Sequence, residues 1–142
     1  MPKKPSRKTL VRNLDKVWSQ AVREKAGSQC EHCGKVSPLN SHHFYSRSVY
    51  SVRWDIENGF CLCVGCHVFS SKFSAHKTPA EFVEWARETR SDEWYESLKD
   101  RKNTVRKFKN FDLEELLSEI KSTSKNNKRA KGKRKSVGFV PR

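Results

Sequence analysis

A small α+β fold is what this sequence predicts, with two short strands and a helix at its centre, further helices on either side and basic tails at both ends. Three observations predict it. Two Cys-x-x-Cys pairs, Cys30/Cys33 and Cys63/Cys66, bracket a 29-residue insert that holds two strand-like stretches. Outside the insert, apolar residues recur at helical spacing behind recognisable helix starts. Charged residues make up 32% of the 142 positions, so the core must be small, and small cores commonly depend on a staple.

Residues 1–12 hold two prolines and five Lys/Arg, a composition that cannot bury a core and is expected to stay mobile until a partner orders it. Over residues 14–22 the positions Leu14, Val17, Trp18, Ala21 and Val22 fall at helical spacing, with Asn13 as N-cap and Gly27 as the stop. That helix is expected to pack on the cysteine unit that follows. Cys30-Glu-His-Cys33-Gly34 reads as a tight turn in which Gly34 lets neighbouring amides face the thiols, with His32 directed to solvent. Residues 40–45 and 59–62 are expected to pair as strands, and residues 64–73 to form the helix after them.

Further along, Thr78-Pro79-Ala80-Glu81 combines a capping box with proline at the first helical position. Phe82, Trp85, Ala86 and Thr89 form the expected buried stripe. A second start at Ser91 leads through Trp94, Tyr95 and Leu98, and a third at Asp112 through Leu113, Leu116, Leu117 and Ile120. These stripes read as packing surface. Beyond Lys121 the low-complexity basic run is expected to lack regular structure. The organisation is thus a basic arm (1–12), a core with its N-terminal helix (13–77), a helical extension (78–120) and a basic tail (121–142).

The net charge of +14 is unevenly placed. Residues 1–12 carry five Lys/Arg and residues 121–142 carry nine, with no acid in either, while residues 13–120 balance at sixteen against sixteen. Acid-free tails around a neutral body suit a polyanion, because each phosphate contact releases condensed counterions. Neither tail alternates its cations with apolar anchors at helical spacing, which argues against a membrane surface. The opening MPKKPSRKTL contains no apolar run of the signal-peptide kind. Reduced thiols are therefore expected, and the Cys-x-x-Cys pairs read as metal ligands in a cytoplasmic protein.

Four soft thiolates, from Cys30, Cys33, Cys63 and Cys66, are the ligand set of a tetrahedral structural Zn2+. A compact zinc ribbon has a gap of about 15–20 residues, so the longer insert carries something extra. Cys61 is the odd thiol and reads as a small buried hydrophobe. Inside the insert, His42 and His43 are adjacent, so on a strand they point to opposite faces. Two duties are then more natural than one, with His42 and His67 holding a divalent ion and His43 facing an attacking water.

These residues resemble the HNH endonuclease family. Fourteen residues separate His43 from Asn58 and eight separate Asn58 from His67, and Asn58-Gly-Phe-Cys-Leu-Cys63-Val-Gly-Cys66-His67 is similar to the family's N-x4-C-x2-C-H ending. The resemblance spans residues 28–77 and implies a ββα-metal core. It implies His43 as general base, His42 and His67 as ligands of a catalytic divalent cation (Mg2+, Mn2+ or Ni2+), and Asn58 as the brace of the loop that carries the base. Some members have a further ligand four residues past the final histidine. That position is Ser71 here, and His76 is the candidate replacement.

A finer likeness is to phage NinG-type recombination nucleases, on His43-Phe44 and Arg53-Trp54-Asp55-Ile56-Glu57-Asn58, which implies a phage or mobile-element origin and a bacterial host cell. The implied partner is DNA, duplex or branched, with a dimer on DNA as the way to cut two strands. Arg47, Arg53, Lys72 and Lys77 lie around the motif where phosphate contacts are needed, and Lys131, Lys133, Arg134 and Lys135 belong to the basic tail. The competing expectation is a zinc-stabilised DNA-binding module without catalysis.

Overall fold

The computed structural model describes residues 2–137, with side chains described as far as residue 124. The chain divides into two compact units, residues 18–107 and residues 1–17 together with 108–142. The fold is α+β. Its one sheet among the described residues is the antiparallel pair β1 (Leu39–His43) and β2 (Gly59–Cys63).

Helix α1 (Arg7–Lys25) starts earlier than the apolar stripe suggests. Ser6 caps it: the Ser6 Oγ accepts from the Thr9 N–H at 3.2 Å, and the Ser6 carbonyl takes the Leu10 N–H at 2.9 Å. Leu10 extends the stripe by one turn, so Asn13 lies inside the helix and residues 7–12 are helical. The basic arm is thus shorter than its composition implies. Its cations are good helix formers, and only Pro2 and Pro5 resist the conformation.

In the larger unit, α1 presents Trp18, Ala21 and Val22, and it packs against the hairpin where we expected the cysteine turn. Gly59 makes this approach possible. A Cβ there would clash with the Val22 side chain and lie 2.9 Å from the Trp18 ring. The Ser41 hydroxyl adds a 2.6 Å hydrogen bond to the Ser19 carbonyl. On its other side the hairpin supplies Phe60 and Leu62 to a core that also holds Cys30, Cys63, Cys66, Ala75, Phe82 and Ala86.

The expected helix over 64–73 is one wide turn, Gly65–Phe69. It stops because the Ser70 hydroxyl accepts the Lys72 and Phe73 N–H groups, offering the backbone a local alternative to the helix. The chain then doubles back, and the Ala75 and His76 N–H groups bond to the Cys66 and His67 carbonyls at 2.9 and 3.1 Å.

Helix α2 (Pro79–Arg90) has its proline at the first position, but the capping box does not form. Thr78 Oγ1 instead accepts from the Ser74 N–H at 2.9 Å and donates to the Ser74 carbonyl at 3.0 Å, closing the turn that carries His76. Phe82 and Ala86 are buried and Trp85 half-buried, while Thr89 is exposed. Helix α3 (Asp92–Asn103) is capped as its sequence indicates, by Ser91 Oγ accepting from the Trp94 N–H.

In the smaller unit, Leu10, Leu14, Leu113 and Ile120 are buried, and the Arg7 guanidinium donates to the Phe108 carbonyl. Helix α4 (Asn110–Val137) is entered through Asp112, whose carboxylate accepts the Lys109 N–H. It continues well past Lys121, where composition pointed to irregular chain. Lys, Arg and Ala are all strong helix formers, and low complexity did not weigh that propensity. Residues 138–142 lie outside the described residues. No helix among the described residues is long and apolar enough to cross a membrane.

Candidate metal centres and catalytic loop

The Sγ atoms of Cys30, Cys33, Cys63 and Cys66 lie within 4.8 Å of one another. Two loop turns deliver them. Gly34 at φ +82° closes the first, and the start of the Gly65–Phe69 turn carries the second. The amides face the sulfurs as the turn geometry requires: Cys33 N–H points at Cys30 Sγ at 3.4 Å, and Cys66 N–H at Cys63 Sγ at 3.5 Å.

Burial pushes the Cys30 thiol up, but the backbone N–H groups of Cys33, Cys63 and His32 outweigh it and bring its pKa down to about 7. Burial and the neighbouring thiols of Cys63 and Cys33 push Cys66 the other way, well above the ordinary range. Four thiolates cannot share this space without a cation, and a divalent ion with four sulfur ligands is what the donor set fits. The cluster can hold a structural metal such as zinc.

Cys61 stays outside the cluster. It is fully buried, and burial followed by the nearby Glu31 carboxylate raises its thiol to about 11, so it is an inert hydrophobe. His32 is exposed, as expected, but not free of the protein. Its ring stacks on Phe73 at 3.6 Å, and its Nδ1 lies 3.4 Å from Cys66 Sγ. The sulfur and an aromatic face together hold a side chain that sequence position alone left free.

A second cluster joins His42, His67 and His76, whose ligand nitrogens also lie within 4.8 Å of one another. His67 Nε2 is 3.1 Å from His42 Nδ1 and 3.2 Å from His76 Nε2. The single lone pair or proton of His67 Nε2 must serve both contacts, and a cation placed among the three nitrogens can take a lone pair from each ring. Burial, then the neighbouring His67, holds the His42 pKa down at about 3, and burial lowers that of His67. Both imidazoles are therefore neutral near pH 7 and offer lone pairs to a metal. His67 Nδ1 is buried without a hydrogen-bond partner among the described residues, so the outer-sphere acceptor that usually orients a ligating imidazole is missing there.

His43 faces the other way, as the alternation of a strand requires. Its ring stacks on Trp18 with centroids 3.8 Å apart and planes 11° apart, and its Nε2 lies 3.0 Å from the Arg53 carbonyl. A carbonyl only accepts, so Nε2 carries the proton, and in the neutral ring that is the Nε2–H tautomer.

The loop between the strands is pinned by Asn58, which is fully buried. Its Nδ2 donates to the Tyr45 and Val52 carbonyls at 3.0 and 3.1 Å, and its Oδ1 accepts from the Tyr45 N–H at 2.7 Å. The flanking helices, read from sequence as scaffold, grip the same loop. Trp18 Nε1 donates to the Asp55 carbonyl, Trp94 Nε1 to the Glu57 carbonyl, and Arg90 to the Glu57 and Gly59 carbonyls. Arg90 also pairs with Glu31 inside the first cysteine turn at 3.0 Å. No pattern in the sequence marks Trp18 or Arg90, because each acts through a partner more than thirty residues away.

Of the cations expected to meet phosphate, Arg47, Lys72 and Lys77 are exposed. Arg53 is only 6% exposed, with its guanidinium over the Tyr50 and Trp54 rings, so it belongs to the loop's packing instead. The aromatic faces on either side of it provided burial that charge alone did not signal. Lys131, Lys133, Arg134 and Lys135 fall on α4, and their side chains lie outside the described residues. Comparison with protein-family models, with curated proteins and with solved structures found no match.

Proposed function

We propose that this chain is a metal-dependent DNA endonuclease of the HNH kind, hydrolysing a phosphodiester bond with His43 as general base. The observation that carries the reading is the division of labour on one strand. His42 turns to His67 and His76, while its neighbour His43 turns to the opposite side, with its Nε2 on the Arg53 carbonyl.

In this reading the His43 Nδ1 takes a proton from water as the water oxygen attacks phosphorus in line. The bond to the 3′ oxygen breaks and the departing alkoxide takes a proton from solvent water, leaving 5′-phosphate and 3′-hydroxyl ends. Asn58 holds the loop so that the Arg53 carbonyl keeps the His43 ring in the right tautomer. His42, His67 and His76 would hold a divalent ion, which when bound supplies positive charge for the developing phosphorane and the departing oxygen. Three imidazoles and no carboxylate suit Mn2+, Ni2+ or Zn2+ better than Mg2+. Lys72, Lys77 and Arg47 offer phosphate contacts near the motif.

The test is nicking of supercoiled plasmid with Mg2+, Mn2+ and Ni2+ by wild type and by His43→Ala. Undiminished cleavage by the variant sinks the base assignment. DNA binding without cleavage by wild type, under every ion and on duplex, nicked and branched substrates, favours the zinc-stabilised binding module. Removing residues 122–142 is expected to flatten the salt dependence of DNA affinity while leaving metal content unchanged.

A further inference from the structure

We propose that Trp18, which lies on α1 outside the motif residues, is the positioning residue for His43; the proposal rests on the nuclease reading of that histidine. An imidazole on a strand has a broad, two-fold preference about its terminal torsion, so its two faces are interchangeable and each nitrogen can trade places with a ring carbon until something fixes them. Here the Arg53 carbonyl meets one ring nitrogen at 3.0 Å, and the indole lies flat on one face at 3.8 Å. Together they leave one orientation, with Nδ1 directed away from the Arg53 carbonyl.

The indole can do this because it is itself held at two points. Its Nε1–H donates to the Asp55 carbonyl at 2.8 Å, inside the loop that Asn58 braces. Its benzo ring, at Cζ2, sits against Gly59, the residue paired with His43 across the hairpin, where a Cβ would lie 2.9 Å from the ring. Trp18 is only 1% exposed. The same ring thus touches the base, the loop and the base's cross-strand partner. That is how a reactive side chain is fixed by rigid elements rather than by its own loop.

The experiment compares wild type, Trp18→Phe and Trp18→Leu as full chains. Single-turnover plasmid nicking with Mn2+ is measured beside DNA affinity and zinc content. Trp18→Leu removes the stacked face and is expected to slow cleavage about 10- to 100-fold, the cost of a misplaced catalytic group, with DNA affinity and zinc content unchanged. Trp18→Phe keeps an aromatic face and is expected to stay within about 3-fold of wild type.

A second measurement does not depend on cleavage. Nitrogen-15 NMR of the His43 ring is expected to show the Nε2–H tautomer in wild type and a mixture in Trp18→Leu. Cleavage by Trp18→Leu at the wild-type rate, or an Nδ1–H tautomer in wild type, overturns the proposal. If Trp18→Leu loses zinc, affinity and rate together, Trp18→Phe decides: an equal loss overturns the positioning role, and a near-wild-type rate and tautomer support it. A wild type that cleaves no DNA overturns the nuclease reading, and the tautomer then tests Trp18 alone.

Discussion

Asn58→Asp tests how the loop between the strands is held. The substitution keeps the shape of the side chain and the acceptor for the Tyr45 N–H. It replaces the amide donor with an oxygen facing two carbonyl oxygens at 3.0 and 3.1 Å. In a fully buried place, that surrounding favours the protonated acid, so the folded-state pKa rises far above the ~3.9 of an unfolded aspartate. The folded chain then keeps a proton that the unfolded chain has lost. Stability relative to wild type must therefore fall as pH rises, by about 1.4 kcal/mol per unit until the folded pKa is passed. Between pH 5.5 and 7 the added loss is about 2 kcal/mol.

Asn58→Ala is expected to behave differently. It removes three hydrogen bonds, although the Val52 carbonyl keeps the Asp55 N–H, a loss of about 3–6 kcal/mol at ~1–2 kcal/mol each, independent of pH. Urea unfolding of the zinc-loaded proteins, followed by tryptophan fluorescence, measures both. Wild type at each pH is the reference, so the titrations of other groups cancel. A difference between Asn58→Asp and wild type that stays flat from pH 5.5 to 7 refutes the donation of this amide into two carbonyls.

Cys63→Ser is expected to abolish stoichiometric zinc and cooperative unfolding, since a structural zinc is worth on the order of 10–16 kcal/mol; Cys61→Ala, outside the cluster, should retain zinc, as read by metal analysis and thermal melts. With the histidine site free of metal, stability should fall on acidification, because the unfolded His42 protonates near pH 6.5 while the folded ring resists down to about 3. From pH 7 to 5.5 this one group accounts for about 1.3 kcal/mol, and His42→Gln should lessen the slope in urea titrations at those two pH values. Gly59→Ala drives a Cβ into Val22 and the Trp18 ring and is expected to destabilise by about 1–3 kcal/mol; an unchanged melting temperature would contradict the packing of α1 on the hairpin.

What could be read from the sequence was local or fixed by chemistry. Thiols repeat as Cys-x-x-Cys because a turn must bring two sulfurs to one ion, so the four-cysteine cluster was legible, as were the paired strands and the start of α3 at Ser91. Strand alternation likewise separated His42 from His43 before any coordinates. Tertiary structure decided the rest. His76 was a candidate ligand from the sequence, but the return of the chain after Ser70 that makes it a neighbour of His67 was not, because no spacing rule anticipates a turn closed by the Ser74 and Thr78 side chains. Aromatic faces turned Arg53 inward and gave the exposed His32 a ring to stack on. The packing of α1 onto Gly59 sets an indole against His43, a contact between residues 25 apart in the chain that exists only once the two surfaces meet. Sequence determines which groups carry the chemistry; here the tertiary structure decides which of them face one another.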